Sequence, residues 1–488
     1  MSTVSVEQQP LLIAGEWVPA GAGRTYEKAD PFTGEPVTQA AAAGREDARR
    51  AVDAAAAAFP VWSGLAPAER RAKLAAAADL LLARAEDIAH TMTAEVGATF
   101  GWGMFNCDLA SRMLRQAAAQ AYDLGGEVIP SDVPGAMSMA VRQPAGVVVG
   151  IAPWNAPVIL ATRAVAAPLA FGNTVVLKAS ERCPRTHAHV VRALHDAGVP
   201  AGAINLITND PADAADVVDE LIAHPAVRRV NYTGSTRVGR IVAQKAAEHL
   251  KRTLLELGGK APMVVLADAD LEEAANAASF GAFMNQGQIC MSTERIVVDR
   301  SVADAFGEKL AQRARALTVG DPRSPETMIG PVVDEAAAQR IIELIEDAKA
   351  KGARVLAGGE ADGLLIAPTV LAGVTPEMRI YAEESFGPVV GMVAVENPDE
   401  AVDVANDTAY GLAAAVFGQD VPAAMDVARR IQSGICHVNS STVHDEPQMP
   451  FGGVKESGWG RFGGRAALDE FTELRWMSVQ QTPRHYPI

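Results

Sequence analysis

Val147-Val148-Val149-Gly150-Ile151, followed by the helical run Ala161 to Ala170 and then by Thr174-Val175-Val176-Leu177, decides the fold. Short apolar runs rich in β-branched residues are buried strands, and a helix between two of them makes a parallel crossover. The unit recurs downstream. His187 to Ala197 is helical, Ala203-Ile204-Asn205-Leu206-Ile207 a strand and Ala212 to Ala223 helical again, while Val227 to Tyr232 and Pro262-Met263-Val264-Val265-Leu266 add strands. Such alternation predicts an α/β fold, a parallel sheet covered on both faces. Upstream, Arg45 to Arg84 reads as two helices broken near Pro60 to Pro67, and Glu86 to Met113 continues the helical layer. A second series follows Asp268: helices Leu271 to Gln286, Ser301 to Leu317 and Glu335 to Lys351, strands Ile296-Val297-Val298 and Val389 to Val395, helix Pro398 to Asn406 and strand Ala413 to Phe417. Leu257-Gly258-Gly259-Lys260 marks the boundary between the two series.

A chain of 488 residues exceeds one ordinary core, so a cofactor domain and a substrate domain are expected. With 49% hydrophobic residues, 42 Gly, 29 Pro and a mean hydropathy of +0.08, it is neither disordered nor fibrous. A formal charge of −16 and a pI near 5.1 speak against nucleic acid or anionic membrane as partner. Met1 to Pro10 carries no secretory pattern, and the most apolar stretch, Ala145 to Gly172, is interrupted by Asn155 and Arg163, so a cytoplasmic protein is expected. Cys107, Cys183, Cys290 and Cys436 lie far apart, without the spacing of a disulfide framework or a metal site.

Gly458-Trp459-Gly460-Arg461-Phe462-Gly463 matches the dinucleotide fingerprint, yet no buried strand enters it and no βαβ unit follows; a loop supporting the site is the better reading. Thr233-Gly234-Ser235-Thr236-Arg237-Val238-Gly239 has the right context, leaving a strand for a helix beginning at Val238. Two readings stand there: a pyrophosphate cradle of free amides and hydroxyls, or an ordinary Ser/Thr cap. Asn155, in Pro153-Trp154-Asn155-Ala156-Pro157, sits where a strand opens into a loop, as an amide donor to a developing oxyanion or as a turn residue. Lys178 and Glu181 follow the next strand, able to grip ribose hydroxyls or to form a solvated pair. Glu256, in Leu254-Leu255-Glu256-Leu257-Gly258-Gly259-Lys260, is either a general base with a raised pKa or a partner of Lys260 or an arginine. Cys290, in Asn285-Gln286-Gly287-Gln288-Ile289-Cys290, is either a nucleophile or a small buried apolar residue.

In this order PWN, KASE, the Gly234-Ser235-Thr236 loop, LELGGK, GQIC, Glu384-Ser385-Phe386-Gly387-Pro388 and Pro450-Phe451-Gly452-Gly453 resemble the aldehyde dehydrogenase superfamily over nearly the whole chain. The resemblance implies a Rossmann-like cofactor domain (1–121 and 145–256), an α/β catalytic domain (257–455) and a small β oligomerisation element (122–144 and 470–488). It implies Cys290 as nucleophile, Glu256 as general base and Asn155 with the Cys290 amide as oxyanion donors. For the cofactor it implies Lys178 and Glu181 at the adenosine ribose, Gly234, Ser235 and Gly239 around the pyrophosphate, Trp154 and Leu257 along the nucleotide, and Glu384 with Phe386 at the nicotinamide. Glu181 favours NAD over NADP, because a carboxylate accepts hydrogen bonds from a free 2′-hydroxyl and repels a 2′-phosphate.

Gln288 to Arg295, Lys178 to Glu181 and His444-Asp445-Glu446-Pro447-Gln448-Met449-Pro450 resemble the vanillin, salicylaldehyde and benzaldehyde dehydrogenase branch, which implies oxidation of a small aromatic aldehyde to its acid through a thioester. Trp102, Phe105, Ala156, Arg163, Ile289, Met291, His444 and Phe451 are the expected wall of its pocket, with a structural salt bridge as the other reading of Arg163. The family implies a homodimer or homotetramer, joined through a hairpin near Tyr122 to Gln143 and a strand near Arg475 to Gln480. Rival readings are an aliphatic or semialdehyde dehydrogenase, a CoA-acylating enzyme and a catalytically silent protein on the same fold.

Overall fold

The computed structural model describes residues 6–488; residues 1–5, which the amino-terminal reading and the first domain range include, lie outside the described residues. Two sheets carry the molecule. The first has eight strands in the order Gly458–Trp459, Arg252–Glu256, Val227–Thr233, Val147–Ile151, Thr174–Lys178, Ile204–Ile207, Leu11–Ile13 and Glu16–Val18. The run from Arg252–Glu256 to Ile204–Ile207 is parallel. Its first strand in the chain, Val147–Ile151, lies in the middle: the next two add on one side and the last two on the other. Chain direction therefore diverges between Val147–Ile151 and Val227–Thr233, opening a crevice at their carboxyl ends, the usual binding place of such sheets.

The uninterrupted burial of Val147–Ile151 follows from covering both faces. Val147, Val149 and Ile151 pack in one core with Ala48, Ala51 and Val52 of helix Arg45–Gly64. Val148 points the other way, into a core with Val158, Ala161 and Val165 of helix Pro157–Ala170. Period two along the strand thus supplies two helix layers.

Leu257–Lys260 links strand Arg252–Glu256 of the first sheet to Ala261–Val265 of the second, at the boundary expected from the sequence. The second sheet runs Arg354–Ala357, Thr369–Ala372, Val389–Val395, Thr293–Asp299, Ala261–Val265, Ala413–Phe417 and Ile435–Val438, all parallel except the first pair. A third, antiparallel sheet joins the hairpin Gly126–Ile129/Ala136–Pro144 to Thr472–Gln480.

Some boundaries differ from expectation. The segment Glu86 to Met113 is two helices, Ala85–Val96 and Phe100–Gln120, because Gly97 closes the first in a left-handed conformation. The first break in Arg45 to Arg84 comes after Gly64, with Pro60 tolerated inside the helix and Pro67 opening the next. Helix Leu271–Phe283 stops short of Gln286, because Asn285, Gln286 and Gly287 all take positive φ. The amino-terminal strands, each three to six residues, are too short for a periodic signal.

The fingerprint-like glycine run forms no dinucleotide loop. Gly458 and Trp459 pair antiparallel with Glu256 and Leu255 at the edge of the first sheet, and the Leu257 amide donates to the Ser457 carbonyl at 3.1 Å. Gly458 has φ of 104°, and a Cβ there would lie 2.0 Å from the Leu255 carbonyl oxygen. Gly458→Ala is expected to lose at least about 1–3 kcal/mol of stability through strain and the displaced edge strand. Thermal unfolding checks this, and an unchanged Tm would contradict the tight edge pairing.

Candidate active site

Cys290 sits in the turn between helix Leu271–Phe283 and strand Thr293–Asp299. Three successive left-handed residues, Asn285 (φ 50°), Gln286 (58°) and Gly287 (69°), bend the chain here. Side chains hold the bend: Asn285 Nδ2 donates to the Asn155 carbonyl at 2.9 Å, Gln286 Nε2 to the Pro331 carbonyl at 3.0 Å, and Gln288 Oε1 accepts from the Val333 amide at 3.0 Å. A Cβ on Gly287 would meet the Gly387 carbonyl oxygen at 2.1 Å, so only glycine fits. The turn delivers a partly exposed Cys290 whose backbone N–H has no backbone partner among the described residues.

Asn155 leaves the central strand through Pro153-Trp154 and folds onto this turn. Its Nδ2 donates to the Gln288 carbonyl at 2.9 Å, and its own carbonyl also accepts from Trp102 Nε1 at 3.1 Å. The strand one removed ends in Glu256, which is fully buried with no hydrogen-bond partner for either carboxylate oxygen among the described residues. Lys260, the partner one sequence reading offered, is bonded to Glu294 instead. Burial pushes Glu256 up to about 7, against the opposing pull of Arg163 and of the Cys290 thiol, an electrostatic neighbour outside hydrogen-bonding geometry. The Cys290 thiol is pushed well above its ordinary value, first by burial and then by the charge of Glu256. Thiol and carboxylate are thus coupled acids facing each other.

Two cavities meet at this point. One, of about 360 Å³, is walled by all eight expected substrate residues, Trp102, Phe105, Ala156, Arg163, Ile289, Met291, His444 and Phe451, together with Asn155 and Cys290. Trp102 and Phe105 stack at 5.4 Å. Arg163 follows the structural reading as well as the lining one: it is ion-paired with the largely buried Asp445, and its guanidinium lies 4.0 Å over the Phe451 ring. Sequence reasoning passed over Leu109, Ile159, Leu160, Phe280, Met284 and Val443. A signal existed for some of them, since Ala156, Ile159, Leu160 and Arg163 form one helical stripe and Trp102, Phe105 and Leu109 another.

The larger cleft, about 730 Å³, opens over the crevice of the first sheet and also contains Asn155, Glu256 and Cys290. Of the expected cofactor residues, Trp154, Gly234, Ser235, Leu257, Glu384 and Phe386 line it. Gly239 lies beneath, where a Cβ would stand 2.4 Å from Leu257 Cδ2. Lys178 and Glu181 stand outside that lining, past the neighbouring strand. They are no solvated pair: Lys178 is buried, and Glu181 accepts from Lys178 and from Asn209 Nδ2, at 3.0 Å for the latter. The charge of Lys178 and these bonds lower the Glu181 pKa against its burial. Ser235 caps helix Thr236–Glu248, its Oγ accepting from the Val238 amide at 3.4 Å, and remains at the cleft wall, so the cap reading and the lining reading coexist. Trp154 and Phe386 meet edge to face at 5.8 Å. Glu384, pushed up to about 7 by burial and then by Glu294, accepts from the Gly259 amide at 2.8 Å. A helix amino terminus, an aromatic pair and flanking carboxylates suit an elongated dinucleotide.

The family model described as "Aldehyde dehydrogenase family" matches residues 17–477. The chain is 57% identical to a vanillin dehydrogenase of Pseudomonas fluorescens, over 98% of this chain and 99% of the relative. It is 38% identical to a benzaldehyde dehydrogenase [NAD(+)] of Pseudomonas putida, over 99% of both. The crystal structure of a salicylaldehyde dehydrogenase from Pseudomonas putida G7 complexed with salicylaldehyde superposes with a TM-score of 0.97 at 44% identity, covering 99% of this chain and 100% of that one.

The raised pKa of Glu256 has a consequence for stability. The unfolded carboxyl ionises near 4.5, the folded one near 7, so the native state is penalised progressively as pH rises between those values and constantly above them. Glu256→Gln removes the penalty. The variant is expected to exceed the parent by up to about 3 kcal/mol at pH 8, with the difference closing toward pH 4.5. Urea unfolding at both pH values checks this; a difference independent of pH would contradict a buried, unpaired carboxylate.

Proposed function

The chain belongs to the aldehyde dehydrogenase family, and from that premise we propose that it oxidises a small aromatic aldehyde of the vanillin, salicylaldehyde or benzaldehyde type to the carboxylic acid, with Cys290 as nucleophile. The carrying observation is the meeting of two cavities at Cys290 and Asn155, one walled by aromatic and aliphatic side chains, the other lying over the sheet crevice. The relatives named above support the aromatic class.

Cys290 Sγ adds to the aldehyde carbon once its proton has passed to a base, and unpaired Glu256 faces it. The resulting oxyanion lies within the province of the Cys290 N–H and the Asn155 amide, whose second N–H has no protein partner among the described residues. A nicotinamide cofactor, when bound in the larger cleft, supplies the acceptor for the hydride that the substrate carbon loses. Cys290 then carries an acyl thioester, and Glu256 gives up to solvent the proton it took from the thiol. Glu256, with a pKa near neutrality, takes a proton from water as that water attacks the thioester carbon, and the thiolate leaves with the acid formed. Glu384 and Phe386 would hold the nicotinamide end, Trp154 and Leu257 the nucleotide beside it, Gly234, Ser235 and Gly239 the pyrophosphate, and Lys178 with Glu181 the adenosine ribose.

Glu181 is held ionised by Lys178 and Asn209, which favours NAD over NADP. We also assign residues 1–121 and 145–256 to the cofactor domain, 257–455 to the catalytic domain and 122–144 with 470–488 to an oligomerisation element. In support of the last, the antiparallel sheet exposes Val128, Leu474, Trp476 and Val479 beside an unpaired edge, a surface that a second copy would cover in a homodimer or homotetramer. We place the enzyme in the cytoplasm; no helix among the described residues is long and apolar enough to cross a membrane.

Rates with benzaldehyde, vanillin, salicylaldehyde, hexanal and succinate semialdehyde, each measured with NAD and with NADP, test the reading. Higher kcat/KM for the three aromatic aldehydes and for NAD is expected. Preference for hexanal or the semialdehyde would overturn the aromatic class, and preference for NADP the role of Glu181.

A further inference from the structure

Glu294 lies on strand Thr293–Asp299, one turn of chain beyond Cys290, and has no place in the chemistry above. Its side chain is almost wholly buried and fully engaged. Oε1 accepts from the Ser385 amide at 3.0 Å, the Ser385 hydroxyl at 2.9 Å and the Phe386 amide at 3.0 Å. Oε2 accepts from the Ser385 amide at 3.1 Å and from Lys260 Nζ at 2.7 Å. One carboxylate thereby ties together three segments: the strand leaving the nucleophile, the Leu257–Lys260 link and the Glu384–Phe386 loop.

Phe386 has φ of 50°, a conformation rare for an aromatic residue, and it is reached with the amides of Ser385 and Phe386 turned onto one oxygen. A neutral loop would relax from it; a buried anion bonded by two successive amides opposes that relaxation. The same grip fixes the neighbouring residue. Glu384 leans back onto the Gly259 amide, next to Lys260, and Arg340 donates to the Ser385 carbonyl at 3.0 Å from the far side. Lys260 is drawn downward in pKa by burial and held up first by Glu294, its ion-pair partner at 2.7 Å, and then by Glu384.

We propose that Glu294 is a positioning residue, one that fixes the Glu384–Phe386 loop at a set distance from Cys290 so that the nicotinamide end of the cofactor is presented to the reacting carbon in register. This rests on the reading of Cys290 as nucleophile and of the larger cleft as the cofactor site. Displacements near 1 Å in such an arrangement cost on the order of 100-fold in rate.

The test compares the parent with Glu294→Gln and with the double variant Lys260→Met/Glu294→Gln, which leaves no unpaired buried cation. Hydrogen exchange over residues 383–388 is measured without cofactor. NAD binding is followed by calorimetry, and the primary isotope effect is measured with the aldehyde deuterated at the carbonyl carbon. Faster exchange in that segment, weaker NAD binding, a kcat/KM for NAD lowered about tenfold or more and a larger isotope effect in both variants are expected. A lowered Tm with exchange, NAD binding and isotope effect unchanged would overturn the proposal, leaving Glu294 a structural residue. Cys290→Ala is run alongside: if it retained NADH formation, the nucleophile reading would fail, independently of what Glu294 does.

Discussion

Everything near the sulfur depends on a short stretch of backbone that L-residues avoid. Asn285, Gln286 and Gly287 in succession take the left-handed conformation, at a cost of about 1–2 kcal/mol for each non-glycine residue. The bend persists because three separate parts of the chain bond to it, the Asn155 loop, the Pro331 to Val333 segment and the Ser292 hydroxyl, which donates to the Gly287 carbonyl at 3.0 Å, while the Gly387 carbonyl leaves room only for glycine at 287. The turn ends helix Leu271–Phe283 before Cys290. With it, a residue from the second sheet reaches the crevice of the first.

Charge is distributed around that point with a clear contrast. Arg163 has Asp445, Lys178 has Glu181, and Lys260 has Glu294, each pair buried or largely so. Glu256 alone among these carboxylates is in no ion pair and accepts no hydrogen bond among the described residues, Arg163 acting on it only at a distance. A buried group left unpaired is expensive, and such cost concentrates where reactivity is needed. The neighbouring edge strand Gly458–Trp459 and the Ser457 to Leu257 bond keep its backbone fixed.

The architecture was legible from hydrophobic runs because the strands of a sheet covered on both faces tend to be continuous and apolar: Val147–Ile151, Thr174–Lys178 and Ala261–Val265 stood out, whereas Val227–Thr233 carries Arg228, Arg229 and Asn231. The glycine-rich decoy at 458–463 was separable from a true phosphate loop by context alone. What sequence left open was pairing. Nothing in LELGGK shows that Lys260 turns away from Glu256 toward Glu294, because that choice is made by a strand 30-odd residues later and by a loop near 385. Nor could periodicity reveal the left-handed turn before Cys290, whose cause is tertiary contact with Gly387 and Pro331 rather than local propensity. The pocket wall was partly visible as helical stripes; Phe280 and Met284 were hidden because that same turn sets where their helix ends, and Val443 because it lies in an irregular segment after strand Ile435–Val438.

Turnover through a covalent acyl enzyme on Cys290 can be tested by trapping that species. Glu256→Gln is mixed with benzaldehyde and NAD, quenched in acid within the first turnover, and examined by intact mass and peptide mapping. A benzoyl adduct on the peptide containing Cys290, matching the NADH burst in stoichiometry, is the predicted result. NADH formed with no adduct, or an adduct on Cys107, Cys183 or Cys436, would contradict it.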